Sequence, residues 1–187
     1  MSLDFFRQFV LNPFKTGAVA PSSRALAEII TPHTALEHAT VVMELGPGTG
    51  VFTQRIVHKI NARTLFFALE INPYFAKKTK ERCPQLLIFN DSALHARKYL
   101  KGKQCDVIIS GLPFAGFKNE LQNDLLKVIG NSLNTKGIFL TFAYVHGTML
   151  PSGRRFKQKL RTQFREVKTT KIIWKNFPPA IVYFCKK

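Results

Sequence analysis

A glycine-rich turn at residues 43–52 constrains the fold of this chain more than any other feature. The stretch MELGPGTGVF follows an apolar run, and glycine then occupies every second position, at Gly46, Gly48 and Gly50. Glycines between a strand and a helix let the backbone approach a ligand closely, because they carry no Cβ atom. The stretch therefore predicts a strand, a turn and a helix that together bind a cofactor.

Two phosphate-binding motifs do not match this turn. A P-loop needs Lys and then Ser or Thr after its last glycine, whereas Val51 and Phe52 follow Gly50. A dinucleotide fingerprint counted from Gly46 needs its third glycine where Val51 stands. Glu44 would repel a pyrophosphate, but it suits a ligand that carries an ammonium and a sulfonium. The E-x-G-x-G-x-G pattern resembles the first motif of S-adenosylmethionine (SAM) methyltransferases.

Apolar runs rich in β-formers alternate with helical stretches along the rest of the chain. We predict strands at 40–45, 64–71, 85–90, 106–112, 137–144, 167–174 and 181–185, and helices at 22–30, 51–60, 73–82, 93–100, 120–132 and 154–162. This alternation favours a doubly wound parallel sheet. The last two strands should be antiparallel, because their connection is too short for a crossover helix. We predict one α/β domain over residues 1–187, whose seven-stranded, mostly parallel sheet ends in an antiparallel hairpin, as in the Rossmann-like SAM methyltransferases.

The charge of the chain is strongly positive and unevenly distributed. The 28 Lys and Arg residues against 11 Asp and Glu give a net charge of +17. Residues 151–187 contain eleven of the basic residues, and Glu166 is their only acid. Such a balance favours nucleic acid or an anionic membrane surface as a partner.

The remaining composition indicates an intracellular protein without a metal centre. Cys83, Cys105 and Cys185 show no C-x-x-C spacing, so we expect buried thiols in a reducing cytosol. The histidines show no metal-ligand spacing. The N-terminus lacks the features of a signal peptide, and no run of about 20 apolar residues is present to span a bilayer. We therefore expect a cytoplasmic protein.

Polar residues follow the ends of successive predicted strands, where open α/β sheets bind their ligands. Glu70 ends the second strand and can accept hydrogen bonds from both ribose hydroxyls, unless it is simply a surface acid. Asp91 and Ser92 follow the third strand. Asp91 suits either the adenine amine or the N-cap of a helix, and the sequence leaves both roles open.

The fourth predicted strand ends in SGLPF at residues 110–114, where enzymes that methylate amines carry Asp or Asn and then x-Pro-aromatic. Methylation of an amine is an in-line displacement, so positioning is the main requirement. We predict catalytic roles for Ser110, Phe114 and Tyr144. Backbone carbonyls near Ser110 and the aromatic faces of Phe114, Phe117 and Tyr144 would stabilise the developing cation. Tyr144 would orient the amine or accept its proton, unless its hydroxyl only meets water.

Five stretches together resemble the bacterial phospholipid N-methyltransferases over nearly the whole chain: FFRQFVLNPFKTGAVAPSSRALAEII, VMELGPGTGVFT, VIISGLPF, FAYVHG and WKNFPPAIVYF. The most specific parts are TGAVAPSS and W-x-N-x-P-P-A. The resemblance implies SAM as cofactor and S-adenosylhomocysteine (SAH) as its product. It implies phosphatidylethanolamine as the acceptor and leaves another aminolipid open, because close relatives could methylate one. It also implies that residues 16–23 pack over the methionine end of SAM. The complete set of predicted cofactor-binding residues is Glu44, Gly46, Gly48, Gly50, Glu70, Asp91, Ser92, Ser110, Gly17 and Ser22.

The N-terminal segment, residues 1–35, is predicted to be helical and to cover the cofactor. In residues 2–11 the apolar side chains of Leu3, Phe6, Phe9 and Val10 share one helical face. Such a helix either lies in the headgroup boundary of a membrane or packs on the core. With the basic residues, the family resemblance favours peripheral attachment to an anionic membrane at its inner face, where an aminophospholipid is the substrate.

Two alternatives remain open from the sequence. The RNA adenine-N6 methyltransferases share the E-x-G-P-G-x-G start and an N-L-P-aromatic motif that SGLPF resembles, and a positive charge suits RNA. Against this, Ser110 replaces their Asn, and their further helical domain has no counterpart after the last strand. A protein of this fold that only binds a membrane or a partner is the third hypothesis, and the acids at three strand ends argue against it.

Overall fold

A computed structural model describes residues 22–187, which form one seven-stranded sheet with helices against both faces. The strands are β1 (Val41–Leu45), β2 (Leu65–Leu69), β3 (Leu87–Phe89), β4 (Cys105–Ser110), β5 (Leu133–Tyr144), β6 (Glu166–Thr169) and β7 (Ala180–Lys186). The helices are α1 (Arg24–Ile30), α2 (His33–Leu36), α3 (Val51–Lys59), α4 (Pro73–Arg82), α5 (Ala96–Leu100), α6 (Asn119–Ser132), α7 (Val145–Met149) and α8 (Pro151–Gln163). Short 3₁₀ turns lie at Ala93–His95 and Phe114–Gly116.

The strand order is β3-β2-β1-β4-β5-β7-β6. The first five strands along the chain pair in parallel, whereas β7 is antiparallel to both β5 and β6. The prediction of a doubly wound, mostly parallel sheet with an antiparallel C-terminal hairpin is confirmed. In the register, Leu45 pairs with both Leu69 and Ser110, and Ser110 pairs with Thr141. The parallel strands β1, β2 and β4 therefore end side by side, at what we call the carboxyl edge.

Apolar residues at helical spacing cover each face of the sheet. On one face α6 contributes Leu121, Leu125 and Ile129, which recur every four residues, and α8 contributes Phe156 and Leu160. Such spacing places side chains on one side of a helix. The opposite face is covered mainly by α1 and α3, through Leu26, Ile30, Phe52 and Ile56 among others. Burial on both faces explains why the central strands are almost continuously apolar.

Local capping sets several element ends. Ser23 accepts a hydrogen bond from the Leu26 N–H through its hydroxyl, so α1 starts at Arg24 rather than at residue 22 as predicted. Asn72 caps α4, and Pro73 occupies its first helical position. An N–H group at that position makes no hydrogen bond within the helix, so proline costs nothing there. The predicted helix at 93–100 is divided into a 3₁₀ turn and α5.

The predicted strand at 167–174 is wrong in length, because β6 ends at Thr169. Beyond it, the hydroxyl of Thr170 accepts from the Val182 N–H, and pairing resumes only as a single bridge between Ile173 and Ala180. At the other end of the sheet, β3 contains three residues, Leu87–Phe89, because only these pair with β2.

Some sequence predictions lie outside the described residues, namely the membrane helix at 2–11 and the cofactor residue Gly17. Most of the segment at 1–35 that was predicted to cover the cofactor, including residues 16–21 of the stretch at 16–23, also lies outside them. Within residues 22–187 no helix is both long and apolar enough to cross a bilayer. Over the same residues no three His, Cys, Asp or Glu side chains are grouped as a metal site would require.

Candidate functional site

The glycine turn joins β1 to α3 at the carboxyl edge. Gly46, Gly48 and Gly50 have φ values of 69°, 58° and 79°, in the left-handed region that side chains disfavour. A Cβ atom on Gly46 would lie 2.6 Å from Cδ2 of Leu112, whereas the same atom on Gly48 would meet nothing within 4 Å. A side chain at 46 would therefore be strained by its φ and would displace Leu112, while Gly48 borders open space that a ligand can enter.

Glu44 lies directly beneath this turn and is fully buried. Its Oε2 accepts a hydrogen bond from the Thr53 hydroxyl at 2.7 Å, and Oε1 has no partner among the described residues. Burial raises the pKa of the carboxyl from 4.5 to about 8; the Thr53 hydrogen bond opposes this shift and the nearby charge of Glu70 adds to it. A buried acceptor without a donor is costly, so this oxygen fits a cationic N–H group of a ligand.

Glu70 connects the end of β2 to the same turn and is 4% exposed. Its Oε2 accepts from the Gly48 N–H at 3.0 Å, and its Oε1 accepts from the Asn72 N–H at 2.9 Å. Burial raises its pKa, although the backbone hydrogen bonds act in the opposite direction. A backbone hydrogen bond from Ile71 also reaches this carboxylate. Of its roughly four lone-pair sites, about one is left to accept a hydrogen bond from a ligand beside Gly48.

Asp91 follows β3, and its carboxylate is already engaged by the turn that follows it. Oδ1 accepts from the Ser92 N–H and from Nδ1 of His95, at 2.7 and 2.8 Å, and Oδ2 accepts from the Tyr99 hydroxyl at 2.7 Å. Burial tends to raise the pKa of Asp91, but these three hydrogen bonds outweigh it and lower the pKa to about 2. The N-cap of the 3₁₀ turn is Ser92, whose hydroxyl accepts from the Leu94 N–H. The contact of Asp91 with adenine stays a prediction.

Ser110 ends β4 and is fully buried. Its hydroxyl accepts from the Leu112 N–H at 3.2 Å, and its carbonyl accepts from the Thr141 hydroxyl at 3.3 Å. The next residue, Gly111, abuts the turn after β1, because a Cβ atom there would overlap the carbonyl oxygen of Gly46. The hydroxyl of Ser110 therefore shapes the turn after β4, and Gly111 brings that turn against the glycine turn.

Phe114 is not placed as predicted. Its ring is 1% exposed and stacks on Phe156 of α8, with 4.4 Å between ring centroids and 13° between the planes. The rings of Phe117 and Phe139 meet it edge to face. The 3₁₀ turn at Phe114–Gly116 directs these apolar rings into the core, where their burial is most favourable. Neither Phe114 nor Phe117, which is 2% exposed, offers a face to a substrate.

Tyr144 is the last residue of β5 and is partly buried at the carboxyl edge. Its ring lies parallel to that of His146, with centroids 5.7 Å apart and 7° between the planes. Burial raises the pKa of its hydroxyl. Tyr144 and Ser110 thus end neighbouring strands, and their catalytic roles stay predictions.

Two buried amides near the site were missed from the sequence. Asn176 is 2% exposed; its Oδ1 accepts from the Ser23 N–H at 2.8 Å and its Nδ2 donates to the Pro178 carbonyl at 2.7 Å. It therefore joins the TGAVAPSS stretch, in which Ser22 is half-buried, to the W-x-N-x-P-P-A motif. Gln122 donates to the Phe114 carbonyl at 2.8 Å and holds the turn after β4. Asn176 could have been noticed in the sequence, because it is the Asn of the W-x-N-x-P-P-A motif. Gln122 belongs to no motif that would have pointed to it.

Comparisons with known proteins agree with this architecture. No family model matches the chain. An ornithine lipid N-methyltransferase from Singulisphaera acidiphila is 32% identical over 193 residues, covering 98% of this chain and 96% of that protein.

Solved structures show the same fold at low sequence identity. A crystal structure of a putative O-methyltransferase from Klebsiella pneumoniae has a TM-score of 0.71 at 13% identity, covering 97% of this chain and 89% of its own. An O-methyltransferase from Bacillus cereus in complex with SAH has a TM-score of 0.69 at 11% identity, covering 100% and 92%. A putative rRNA methylase from Clostridium thermocellum has a TM-score of 0.66 at 16% identity, covering 90% and 97%.

The relative from Singulisphaera matches along nearly the full length of both chains, and the sheet is that of the SAM-dependent methyltransferases. The family resemblance seen in the sequence is thereby confirmed, and SAM is the cofactor. The chain belongs to the family of that ornithine lipid N-methyltransferase and is a class I SAM-dependent N-methyltransferase.

Proposed function

We propose that this protein methylates the primary amine in the headgroup of a membrane lipid. The observation that carries the proposal is the match over 98% of the chain to an enzyme named for an aminolipid acceptor. The likeness to a putative rRNA methylase is at 16% identity and supports the fold alone.

The residues of the glycine turn fit SAM. The unpartnered Oε1 of Glu44 suits the ammonium of its methionine part, and the open space at Gly48 admits a ligand close to the backbone. Glu70, which accepts from the Gly48 N–H, retains a lone pair to accept from a ribose hydroxyl. When bound, SAM supplies a methyl group on a positively charged sulfur, which makes that methyl open to attack by a nitrogen lone pair.

The part of the chain from β4 onwards, which we call the acceptor side, carries a positive charge that favours the neutral form of the substrate amine. Between residues 125 and 187 the only acid is Glu166, which pairs with Lys168 and Lys186 at the far end of β7. Arg154 and Arg155 are exposed where α8 begins. Nearby positive charge disfavours an ammonium and so lowers the pKa of a substrate amine. We therefore place the amine between the ends of β4 and β5, near Ser110 and Tyr144.

Two lipid headgroups fit this chemistry. Phosphatidylethanolamine follows from the sequence resemblance, and ornithine lipid follows from the name of the relative. Each headgroup carries a primary amine and an anionic group, which is a phosphate in one and a carboxylate in the other. Basic residues at the carboxyl edge suit either anion.

The test is transfer of radiolabelled methyl from SAM to vesicles that contain phosphatidylethanolamine, ornithine lipid or neither, with bulk RNA as a fourth acceptor. We expect label in the organic phase with at least one aminolipid and none with aminolipid-free vesicles. Label on RNA and on neither lipid would refute the proposal. The preferred lipid, and the number of methyl groups on it, follow from chromatography of the products.

We also propose that the protein acts as a peripheral protein on the anionic inner face of the membrane. Its net charge of +17 supports this, because each Lys or Arg near an anionic surface contributes about 1 kcal/mol. Vesicle binding should therefore increase with anionic lipid content and decrease with salt. If the protein bound purely zwitterionic vesicles as strongly as anionic ones, and salt did not weaken the binding, the electrostatic part of the proposal would be contradicted.

A further inference from the structure

Two large aromatic side chains are exposed on the connection between β6 and β7. Trp174 is 74% exposed and Phe177 is 83% exposed. Both lie in residues 174–179, which we call the aromatic loop, and the bridge between Ile173 and Ala180 closes its base. Aromatic side chains contribute most when they are buried, so two of them on one short loop indicate a surface that contacts something apolar.

The aromatic loop lies at the carboxyl edge, beside the proposed acceptor site. Ala180, which follows the loop, pairs with Tyr144, the last residue of β5. The Val145 N–H donates to the Pro179 carbonyl at 2.9 Å, and Asn176 holds the backbone of Ser23. The loop is therefore fixed at its base to the strand that ends at the site.

A second exposed apolar segment lies near the carboxyl edge. Met149 and Leu150, at the junction of α7 and α8, are 67% and 49% exposed. Because α7 begins immediately after Tyr144, this junction stands one short helix away from the end of β5. Two separate segments thus present apolar side chains on the side of the molecule where the substrate amine must arrive.

The charges around these segments favour an anionic partner. Lys171 and Lys175 flank Trp174, and Arg154 and Arg155 follow Leu150; all four are exposed. From residue 167 to residue 187 the sequence contains no Asp or Glu. Tryptophan and phenylalanine with flanking basic residues suit the interface of an anionic bilayer, where rings enter the headgroup layer and cations meet phosphates. Met149 and Leu150 suit acyl chains better than nucleic acid bases, because they have no aromatic face to stack.

We propose that the aromatic loop is a membrane-docking element, which inserts Trp174 and Phe177 into an anionic bilayer and holds the carboxyl edge against the lipid headgroups. This inference rests on the proposed function, since a lipid substrate gives the docking its purpose. Docking needs no aminolipid, so its failure in vesicles without an amine acceptor is distinguishable from failure of methyl transfer.

The first test uses the natural fluorescence of the intact protein, because Trp174 is the only tryptophan in the chain. Vesicles of phosphatidylcholine and phosphatidylglycerol should shift its emission to shorter wavelength, and lipids brominated on the acyl chain should quench it. An unchanged emission while the protein co-sediments with the vesicles would overturn the proposal. Emission that is already blue-shifted and protected from acrylamide without vesicles would also overturn it, since protein would then cover the loop.

The second test compares matched variants. Replacing Trp174 and Phe177 with Ser should weaken vesicle binding by about tenfold for each ring, or about 1.4 kcal/mol per residue, with SAM affinity unchanged. Leu87→Ser is the control, because Leu87 is 51% exposed but lies on β3, at the opposite edge of the sheet. An equal loss in the control, or wild-type binding by the aromatic variant, would refute the docking role. Quenching of Trp174 by an RNA oligonucleotide without any response to vesicles would refute it in favour of a nucleic acid partner.

Discussion

Replacing Glu44 with Gln should remove a pH dependence that this buried carboxyl gives to the ligand-free protein. Burial raises the pKa of Glu44 from 4.5 to about 8 in the folded state, so between these values the folded chain binds a proton that the unfolded chain has released. Stability therefore falls as the pH rises through this window, by about 1.4 kcal/mol per pH unit.

Glutamine has nearly the same shape and stays neutral at every pH. Its amide nitrogen at the position of Oε1 would lack an acceptor, which adds a destabilisation of about 1–3 kcal/mol that does not depend on pH. The variant should therefore gain about 4 kcal/mol relative to the wild type between about pH 5 and about pH 8. Glu70, whose pKa burial also raises, is present in both proteins and cancels in the comparison.

Urea unfolding at a series of pH values measures this difference directly. Calorimetry gives a second measurement: an ammonium beside Glu44 favours the ionised carboxylate, so SAM binding to the wild type near neutral pH should release a proton. The binding enthalpy should then depend on the ionisation enthalpy of the buffer in the wild type and not in Glu44→Gln. The variant should also bind SAM more weakly by about 1.5–3 kcal/mol, the worth of a hydrogen bond to a charged group. Parallel stability profiles, together with a wild-type enthalpy that is equal in all buffers, would refute the reasoning.

Three further predictions test the site and its support. Gly48→Ala and Gly102→Ala each place a side chain at positive φ in open space, so each variant should lose about 1 kcal/mol of stability. Only Gly48→Ala should lose SAM binding in calorimetry. Equal SAM affinity in the two variants would mean that Gly48 is not part of the site. Asn176→Ala leaves the Ser23 N–H and the Pro178 carbonyl without their partner, so urea unfolding should show a loss of about 1–3 kcal/mol, and an unchanged midpoint would mean that water replaces the amide. Phe114→Ala should lower the free energy of unfolding by about 3–5 kcal/mol. A variant that kept its stability but lost methyl transfer would show that the Phe114 ring has a role in the reaction.

The fold could be predicted because its determinants are local. The spacing of Gly46, Gly48 and Gly50 after an apolar strand defines the first turn, and alternating strands and helices define the parallel sheet. The short connection after β6 sets the antiparallel hairpin. Element ends were less accurate, because they depend on partners elsewhere: β6 stops at Thr169, where the side chain of Thr170 takes over a hydrogen bond to Val182.

The site was predicted less completely, since its geometry depends on contacts between distant parts of the chain. The position of Glu44 and Glu70 at strand ends followed from the motif, but the missing donor at Oε1 of Glu44 is visible only in three dimensions. Phe114 was assigned to the substrate because of its place in SGLPF, whereas its burial is set by Phe156, far along the chain on α8. The hydrogen bond between Ser23 and Asn176 spans 153 positions, and no local pattern can predict such a pair.

The chain can be divided just before β4 into a half that binds the cofactor and a half that meets the acceptor, and this division is useful for protein engineering. The predicted cofactor residues other than Ser110 precede β4, whereas the proposed acceptor side and the aromatic loop come from β4 onwards. The two halves meet along the pairing of β1 with β4, and just beyond it Gly111 abuts the Gly46 carbonyl with no room for a side chain. A chimera that joins residues 1–104 to the second half of a relative should keep its cofactor and take on the lipid preference of that relative. It would need glycine at the position of Gly111, a carboxylate at that of Asp106 and an amide at that of Asn176. Asp106 and Asn176 accept hydrogen bonds from backbone N–H groups of the first half, at Thr40, Val41 and Ser23.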